Sequence, residues 1–436
     1  MKKTTFIKTI GLIIVLIMFS VIFSGCFDRR EVDELAYVMA LGLDKGTTNK
    51  IRMTLQIAVP KSISGGGTGG EGGGGGKSYI ITTLEVPAIY SGLNMANSYI
   101  GREIDVSHAK VIIFSEELAR EGIMRYIHAL MRGKEFRGNI YMAVSRGSAE
   151  EYIRNVDPKL EISPARYYEM IFRGHKHTGF GTNTQLISFY NRAESTTGEA
   201  VMIMAGVSKY EDSDEFSLEE STYEEKGRPN PFEGDYMAGD MPKVGELKSE
   251  LMGLAVFDGW RMVGELDGEE ALYYLMVTGE YGESFITVQD PIVEEHVVIL
   301  STRQNEKPFY KVEIVNGNPL ISLKIYLEAD IISIQSGFNY ESTGNLPILE
   351  KTAEEQIKQG IIRLLKKTAE EMKCDIFHFG KLLKIKFLTW EEWKKFGWLD
   401  RYKDALFDVE VSLKIRRPGL MIRSIPGQAS EERELN

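Results

Sequence analysis

The 436-residue sequence predicts an α+β (mixed α/β) fold: three consecutive domains with mixed or antiparallel sheets and packed helices. Three observations predict it. Strand-like and helix-like stretches alternate between residues 27 and 190. Composition breaks at 65–76 and 210–250, where glycine and then acidic residues replace the apolar periodicity. Beyond residue 290, long strands precede the longest amphipathic stretch, 349–373, so the last domain is expected to set one long helix against a sheet.

At the N-terminus, Lys2, Lys3 and Lys8 precede an apolar run from Thr9 to Phe23, followed by Ser24, Gly25 and Cys26. The run is too short to span a bilayer comfortably, and its charge–apolar–small order is that of a secretory signal. The cysteine directly after Ser-Gly resembles a bacterial lipobox, although Phe23 stands where leucine is usual. Residues 1–25 are therefore expected to be a lipoprotein signal peptide. Cys26 would become the mature N-terminus, carrying S-diacylglycerol and an N-acyl chain, and would tether the rest outside the membrane.

The first domain is placed at 27–190. Leu35–Leu43 and the alternating IRMTLQIAVP read as strands, and SYIITTLEV resumes the pattern after 65–76, which is glycine apart from Thr68 and Glu71. That run reads as a flexible insertion in a hairpin. A helix follows Pro87; Lys110–Phe114 reads as a strand and Ser115 as the start of a helix. Gly138–Gly147 reads as another strand, with Ser148 and Glu151 as a capping box behind it.

The middle domain is placed at 195–287. Its 210–250 stretch is acid-heavy with three prolines and reads as a solvated loop. A hairpin is expected at Asp258-Gly259, then a helix capped by Asp267 and Glu270. The last domain is placed at 290–425, with strands in EHVVILSTR, FYKVEIVNG, PLISLKIYLEADIISI and FDVEVSLKIRRPG. Between them lie the 349–373 helix, with Ile357, Ile361, Leu364 and Leu365 at helical spacing, and a helix capped by Thr389 and Glu392. Trp390 and Trp393 are expected to share a face of that helix, packed in a core or presented to a partner. Residues 426–436 read as a frayed tail.

The formal net charge is −11, and removing the three signal-peptide lysines makes the mature chain more acidic still. That disfavours nucleic acid as a partner and electrostatic adhesion to anionic lipid, which leaves membrane binding to the acyl chains. With Cys26 acylated, Cys374 has no partner for a disulfide, and the sole remaining thiol reads as a small buried hydrophobe.

EGGGGGKS (71–78) has Glu71 where a phosphate-binding loop needs its first glycine, and a strand follows its lysine rather than a helix. Ser107 and Lys110 match S-x-x-K but run into a strand, where i and i+3 face opposite ways. His175 and His177 have no third ligand indicated nearby. No catalytic, cofactor-binding or metal-binding residue is assigned; Cys26 is the one site residue.

Four blocks carry a family resemblance: Gly25-Cys26 with FDRREVDELAYVMALGLDK; GREIDVSHAKVIIFSEELAREGI; GLAVFDGWRMVGELDGEEA; and CDIFHFG with the Trp-rich segment and DVEVSLKIRRPG. In this order they resemble the Ger(x)C family, the lipoprotein C subunits of spore nutrient germinant receptors. The glycine run and acidic loop depart from the pattern between blocks, and Phe27 stands where tryptophan is common. The resemblance implies three α/β-type domains lipid-anchored through Cys26 to the outer face of the spore inner membrane. It also implies a complex with polytopic A and B membrane subunits, nutrient sensing, no cofactor and no enzymatic activity. The competing reading is a solute-binding lipoprotein of an importer, which would show two doubly wound lobes. The consecutive strands after 290 suggest an antiparallel sheet instead.

Overall fold

Strand β1 (Leu35–Lys45) is buried from Leu35 to Asp44 apart from half-buried Tyr37, as a strand covered on both faces must be. The computed structural model describes residues 6, 9–15, 18, 31–47, 50–59, 78–210, 226, 228, 231–342 and 344–417. Cys26, the glycine run 65–76, the core of the acidic stretch (211–225) and the tail 426–436 lie outside the described residues. Residues 9–15 are helical. No helix among the described residues is long and apolar enough to cross a membrane.

Around β1 the sheet grows in both directions. On one side come β2 (Ile51–Ala58) and β3 (Tyr79–Val86), both antiparallel. On the other, β5 (Val111–Ser115), β6 (Tyr141–Ser145) and β7 (Val201–Val207) run parallel to it, and the short β4 (Glu103–Asp105) pairs with its start. Helices return the chain between the parallel strands. The Glu116–Glu121 helix is capped by the Ser115 hydroxyl, and Gly122 separates it from the Met124–Arg132 helix. Gly122 thus divides the helical run of Leu118, Ile123, Ile127 and Leu130 into two helices. Behind β6, the Ala149–Asn155 helix starts on two carboxylate bonds from Asp44 of β1, at 2.7 and 2.9 Å to the Ala149 and Glu150 amides. One carboxylate thus satisfies two orphan donors and fixes the helix to the strand.

The sheet does not stop at residue 190. Strand β7 pairs antiparallel with β8 (Ser249–Asp258), which turns at Asp258-Gly259 into β9 (Arg261–Leu266). The full order is β3-β2-β1-β5-β6-β7-β8-β9, nine strands with β4. Residues 201–266, assigned to a middle domain from composition, therefore extend the first sheet. The reason is burial: β7 is apolar on both faces and needs a neighbour on each edge, and β8 supplies the second across the acidic stretch.

The second sheet holds β10 (Glu283–Gln289), β11 (Val297–Arg303), β13 (Asn318–Ile334) and β12 (Phe309–Val315) in antiparallel order. The closing strand β14 (Leu406–Arg417) pairs parallel with β13, so this sheet is mixed rather than antiparallel throughout. The intervening helices carry the chain back to the same end, which parallel pairing requires. The long helix spans Leu346–Lys366 and runs on through a π-turn, Lys367–Glu371. It begins before the expected 349 because Pro347 is tolerated in a first turn. Its Glu354 and Glu350 accept from the Leu413 and Ile415 amides at 2.9 Å each, so the helix satisfies the open edge of β14.

The Gly268–Thr278 helix joins the two sheets. It carries the expected capping box between Asp267 and Glu270 and is buried on every side from Ala271 to Val277. A helix apolar all round belongs inside a core. One hydrophobic cluster accordingly runs from Val201, Leu254 and Leu266 of the first sheet through this helix to Ile321, Leu323 and Ile361 of the second unit.

Candidate functional site

Two charged interiors flank that joining helix. The first is assembled by the end of the acidic stretch. Lys226 and Arg228 fold in against Asp235, Asp267 and Glu269: Lys226 Nζ lies 2.7, 2.8 and 3.0 Å from the three carboxylates, and Arg228 lies 2.8 Å from Glu269. The Tyr273 hydroxyl donates to Glu269 at 2.9 Å, and the Phe232 amide donates to Asp235 at 2.7 Å. The Arg228 guanidinium stacks 3.9 Å from the Phe232 ring centre. All five charged side chains are largely buried, so each depends on the others for the hydration it has lost.

Their electrostatics follow from that exchange. Burial alone would discharge Lys226, but Asp267, Glu269 and Asp235 hold its ammonium well above the usual lysine range. Burial likewise opposes charge on Glu269, yet Lys226 and Arg228 leave its carboxyl below the ordinary value. Asp267 is the weak partner: burial and neighbouring Glu270 push it up to about 7 against the pull of Lys226. Lys226 and Arg228 also line a cleft of about 690 Å³ that includes Gln289, Pro347, Gln356 and Arg363. There Gln356 bridges to β10, accepting from the Gln289 amide and donating to the Thr287 carbonyl.

The second interior lies where the lead-in to β7 meets the segment after the π-turn. Asp375 is fully buried and accepts from Trp398 Nε1 at 2.8 Å and from the Gly380 amide at 3.0 Å. Its carbonyl accepts from the Glu199 amide, and the Glu199 carboxylate accepts from the Gly259 amide, each at 2.8 Å. Gly198 permits this approach, because a Cβ there would sit 2.5 Å from His378 Nδ1. These acids face amides and an indole instead of cations. Burial pushes Asp375 up to about 6 and Glu199 up to about 7. Burial, with Lys381 and Arg192, holds the His378 imidazole down at about 3, and neither ring nitrogen has a hydrogen-bond partner among the described residues.

Cys374 sits beside Asp375, buried and free, with its thiol donating to the Met372 carbonyl and its pKa pushed well up by burial. A nucleophilic cysteine needs the opposite shift. Ser107 and Lys110 are not brought together: the Ser107 amide donates to Asp105, while Lys110 reaches Glu169. His175 and His177 lie on a short helix, with His175 Nδ1 against the Phe172 carbonyl. Among the described residues no group of His, Cys, Asp and Glu could hold a metal ion. Residues 71–77 of the glycine-lysine motif lie outside the described residues, as does Cys26. Trp393 is in the core, donating to Thr196 at 3.1 Å, whereas Trp390 is 48% exposed. The two do not share one environment, because Trp390 begins its helix and overhangs the core edge.

Sequence reasoning found Asp267 through its capping box but missed Lys226 and Arg228. The available signal was two cations closing an acid-rich run just before Phe232-x-x-Asp235.

Comparison with known proteins sets these interiors in context. Residues 28–207 match the family model described as the spore germination protein N-terminal domain, and residues 252–419 match the spore germination B3/GerAC-like C-terminal domain. The chain is 25% identical over 437 residues to spore germination protein KC of Bacillus subtilis (strain 168), covering 97% of this chain and 99% of that one. It is 21% identical over 409 residues to spore germination protein GerQC of Bacillus cereus, covering 93% and 98%. Among solved structures, the crystal structure of the GerBC protein aligns with a TM-score of 0.51 at 16% identity, over 86% of this chain and 96% of that one. The two family models are separated by the acidic stretch, whereas β7 before it and β8 after it pair in one sheet.

Proposed function

Because the chain belongs to the GerAC (Ger(x)C) family of spore germination proteins, we propose that it is the lipid-anchored subunit of a spore nutrient germinant receptor. The observation that supports this best is similarity running from end to end, through both family domains in order, to relatives named as spore germination proteins. In this reading residues 1–25 are removed and Cys26 is acylated. The body lies on the outer face of the spore inner membrane beside polytopic A and B subunits. A diacylglyceryl group supplies two chains at once, which gives stable anchoring where one chain binds only marginally. Tethering also raises the local concentration of the subunit at its partners without adding a contact. The role is assembly and signal relay rather than catalysis, which accords with a buried, protonated Cys374, with the charge pairing around Lys226 and Arg228, and with Asp375 and Glu199 satisfied by amides and an indole.

Cys26→Ala tests this reading. The variant should keep its circular dichroism spectrum, leave the membrane fraction or remain unprocessed, and lower nutrient-triggered germination through this receptor. Germination by a receptor-independent stimulus should not change. Normal nutrient germination at normal abundance would refute the anchoring role, and an unmodified Cys26 by mass spectrometry would refute acylation.

A further inference from the structure

The segment between the Gly380–Lys384 helix and the Trp390–Phe396 helix exposes large apolar side chains: Leu388 is 95% exposed, Ile385 81% and Trp390 48%. It is also locally basic in an acidic protein, with five lysines against two glutamates over residues 381–395. Lys384 Nζ stands 4.6 Å from the Trp390 ring centre. Lys384, Lys394 and Lys395 are exposed and meet no carboxylate at ion-pair distance among the described residues. Apolar tips with an indole and unpaired cations match a surface whose outside is anionic and whose inside is hydrocarbon.

The topology sets this segment at the end of the first sheet where β1 begins. Strands β1, β5, β6 and β7 are parallel, with Ala40 beside Val111, Val111 beside Tyr141, and Ala143 beside Ile203. Leu35 and residues 195–199 therefore lie at one end of the first sheet, three strand spacings apart, or about 14 Å. Trp393, one turn from Trp390, bonds Thr196 at that end. From Cys26 to Leu35 the chain can span at most about 30 Å.

We propose that Ile385, Leu388 and Trp390, framed by Lys384, Lys394 and Lys395, rest in the headgroup region of an anionic lipid bilayer. This orients the body by a second contact beside the N-terminal tether, and it rests on the lipid-anchor reading above for the presence of that bilayer. The lysines bring the surface to anionic headgroups, and the three apolar side chains enter the interface.

The test uses the full chain tethered to vesicles through Cys26 coupled to a maleimide phospholipid, so the tether exists whether or not the cell acylates that thiol. Brominated phosphatidylglycerol should quench tryptophan emission, and Trp390→Phe should remove that quenching. Brominated phosphatidylcholine vesicles, which carry the quencher without the anionic headgroup, should give little of it. Neutralising Lys384, Lys394 and Lys395 to Gln should shift the bound-to-free ratio of the patch by roughly five-fold per lysine, with circular dichroism unchanged. Absence of Trp390-dependent quenching on the tethered chain would overturn the proposal, as would equal quenching on both lipids. Burial of Trp390 only after the polytopic subunits are added would assign the surface to a protein partner and overturn it equally. Acylation of Cys26, read by mass spectrometry, decides the anchor reading separately.

Discussion

The two charged interiors solve the same problem in opposite ways. Around Lys226 and Arg228, three carboxylates meet two cations, and burial is offset by charge pairing. Around Asp375 and Glu199, acids are buried against amides and an indole, and burial is offset partly by keeping the proton. The first arrangement is therefore sensitive to the loss of any member, while both respond to pH, through Asp267 in the first and through Asp375 and Glu199 in the second. Both sit beside the Gly268–Thr278 helix, where the two sheets meet.

The largest effect should come from breaking the paired interior. Arg228→Met leaves Glu269 and Asp235 with one cation fewer and should destabilise the protein by about 3–5 kcal/mol, read as a lowered urea midpoint. An equivalent loss is not expected if Asp235 is replaced by Asn in the same chain, because the excess of carboxylates over cations then returns to one, as in the parent. A pair of losses that simply add would mean the network is not a unit.

Gly360→Ala sharpens the comparison from the helix side. Alanine is the better helix former by about 1 kcal/mol, yet a Cβ at 360 would lie 2.1 Å from the Tyr273 ring, whose hydroxyl holds Glu269. The crowding should dominate and cost about 1–3 kcal/mol. A thermal unfolding midpoint at or above that of the parent would show that Tyr273 can move without disturbing the ion network.

The unpaired interior predicts an unusual pH dependence. Glu199 titrates near 7 in the fold against an ordinary 4.5, so between those values the folded state holds more protons than the unfolded chain. Its contribution is complete below about pH 4.5 and is lost as pH rises through 7, a swing of at most about 3 kcal/mol. Glu199→Gln keeps an acceptor for the Gly259 amide and removes the titration. Stability measured between pH 5 and 7.5 should then be flatter than in the parent; an unchanged slope would show that Glu199 is ionised throughout. His378, held at about 3, works in the other direction, losing its contribution as pH falls below the ordinary histidine range.

The smallest effect is expected at Cys374. The side chain is packed and buried, and Cys374→Ala should cost on the order of 1 kcal/mol as a small cavity, with no change in the pH profile. Rapid labelling of the native thiol would contradict its burial.

Local order was legible in the sequence wherever one short-range rule governed it. The hairpin at Asp258-Gly259, the capping boxes of Asp267/Glu270 and Thr389/Glu392, the long strand β13 and the apolar stripe of the long helix all appear where expected. Each depends on residues within a turn or a strand of one another, so periodicity and cap chemistry suffice. What only the tertiary structure decided depends on partners distant in sequence. That β7 continues into β8 across the acidic stretch, that β14 runs parallel to β13, and that Lys226 and Arg228 turn inward all follow from burial against remote segments. The fate of two tryptophans three residues apart shows the same limit: helical spacing brought them close, but only the edge of the assembled core determined that Trp393 is covered and Trp390 is not.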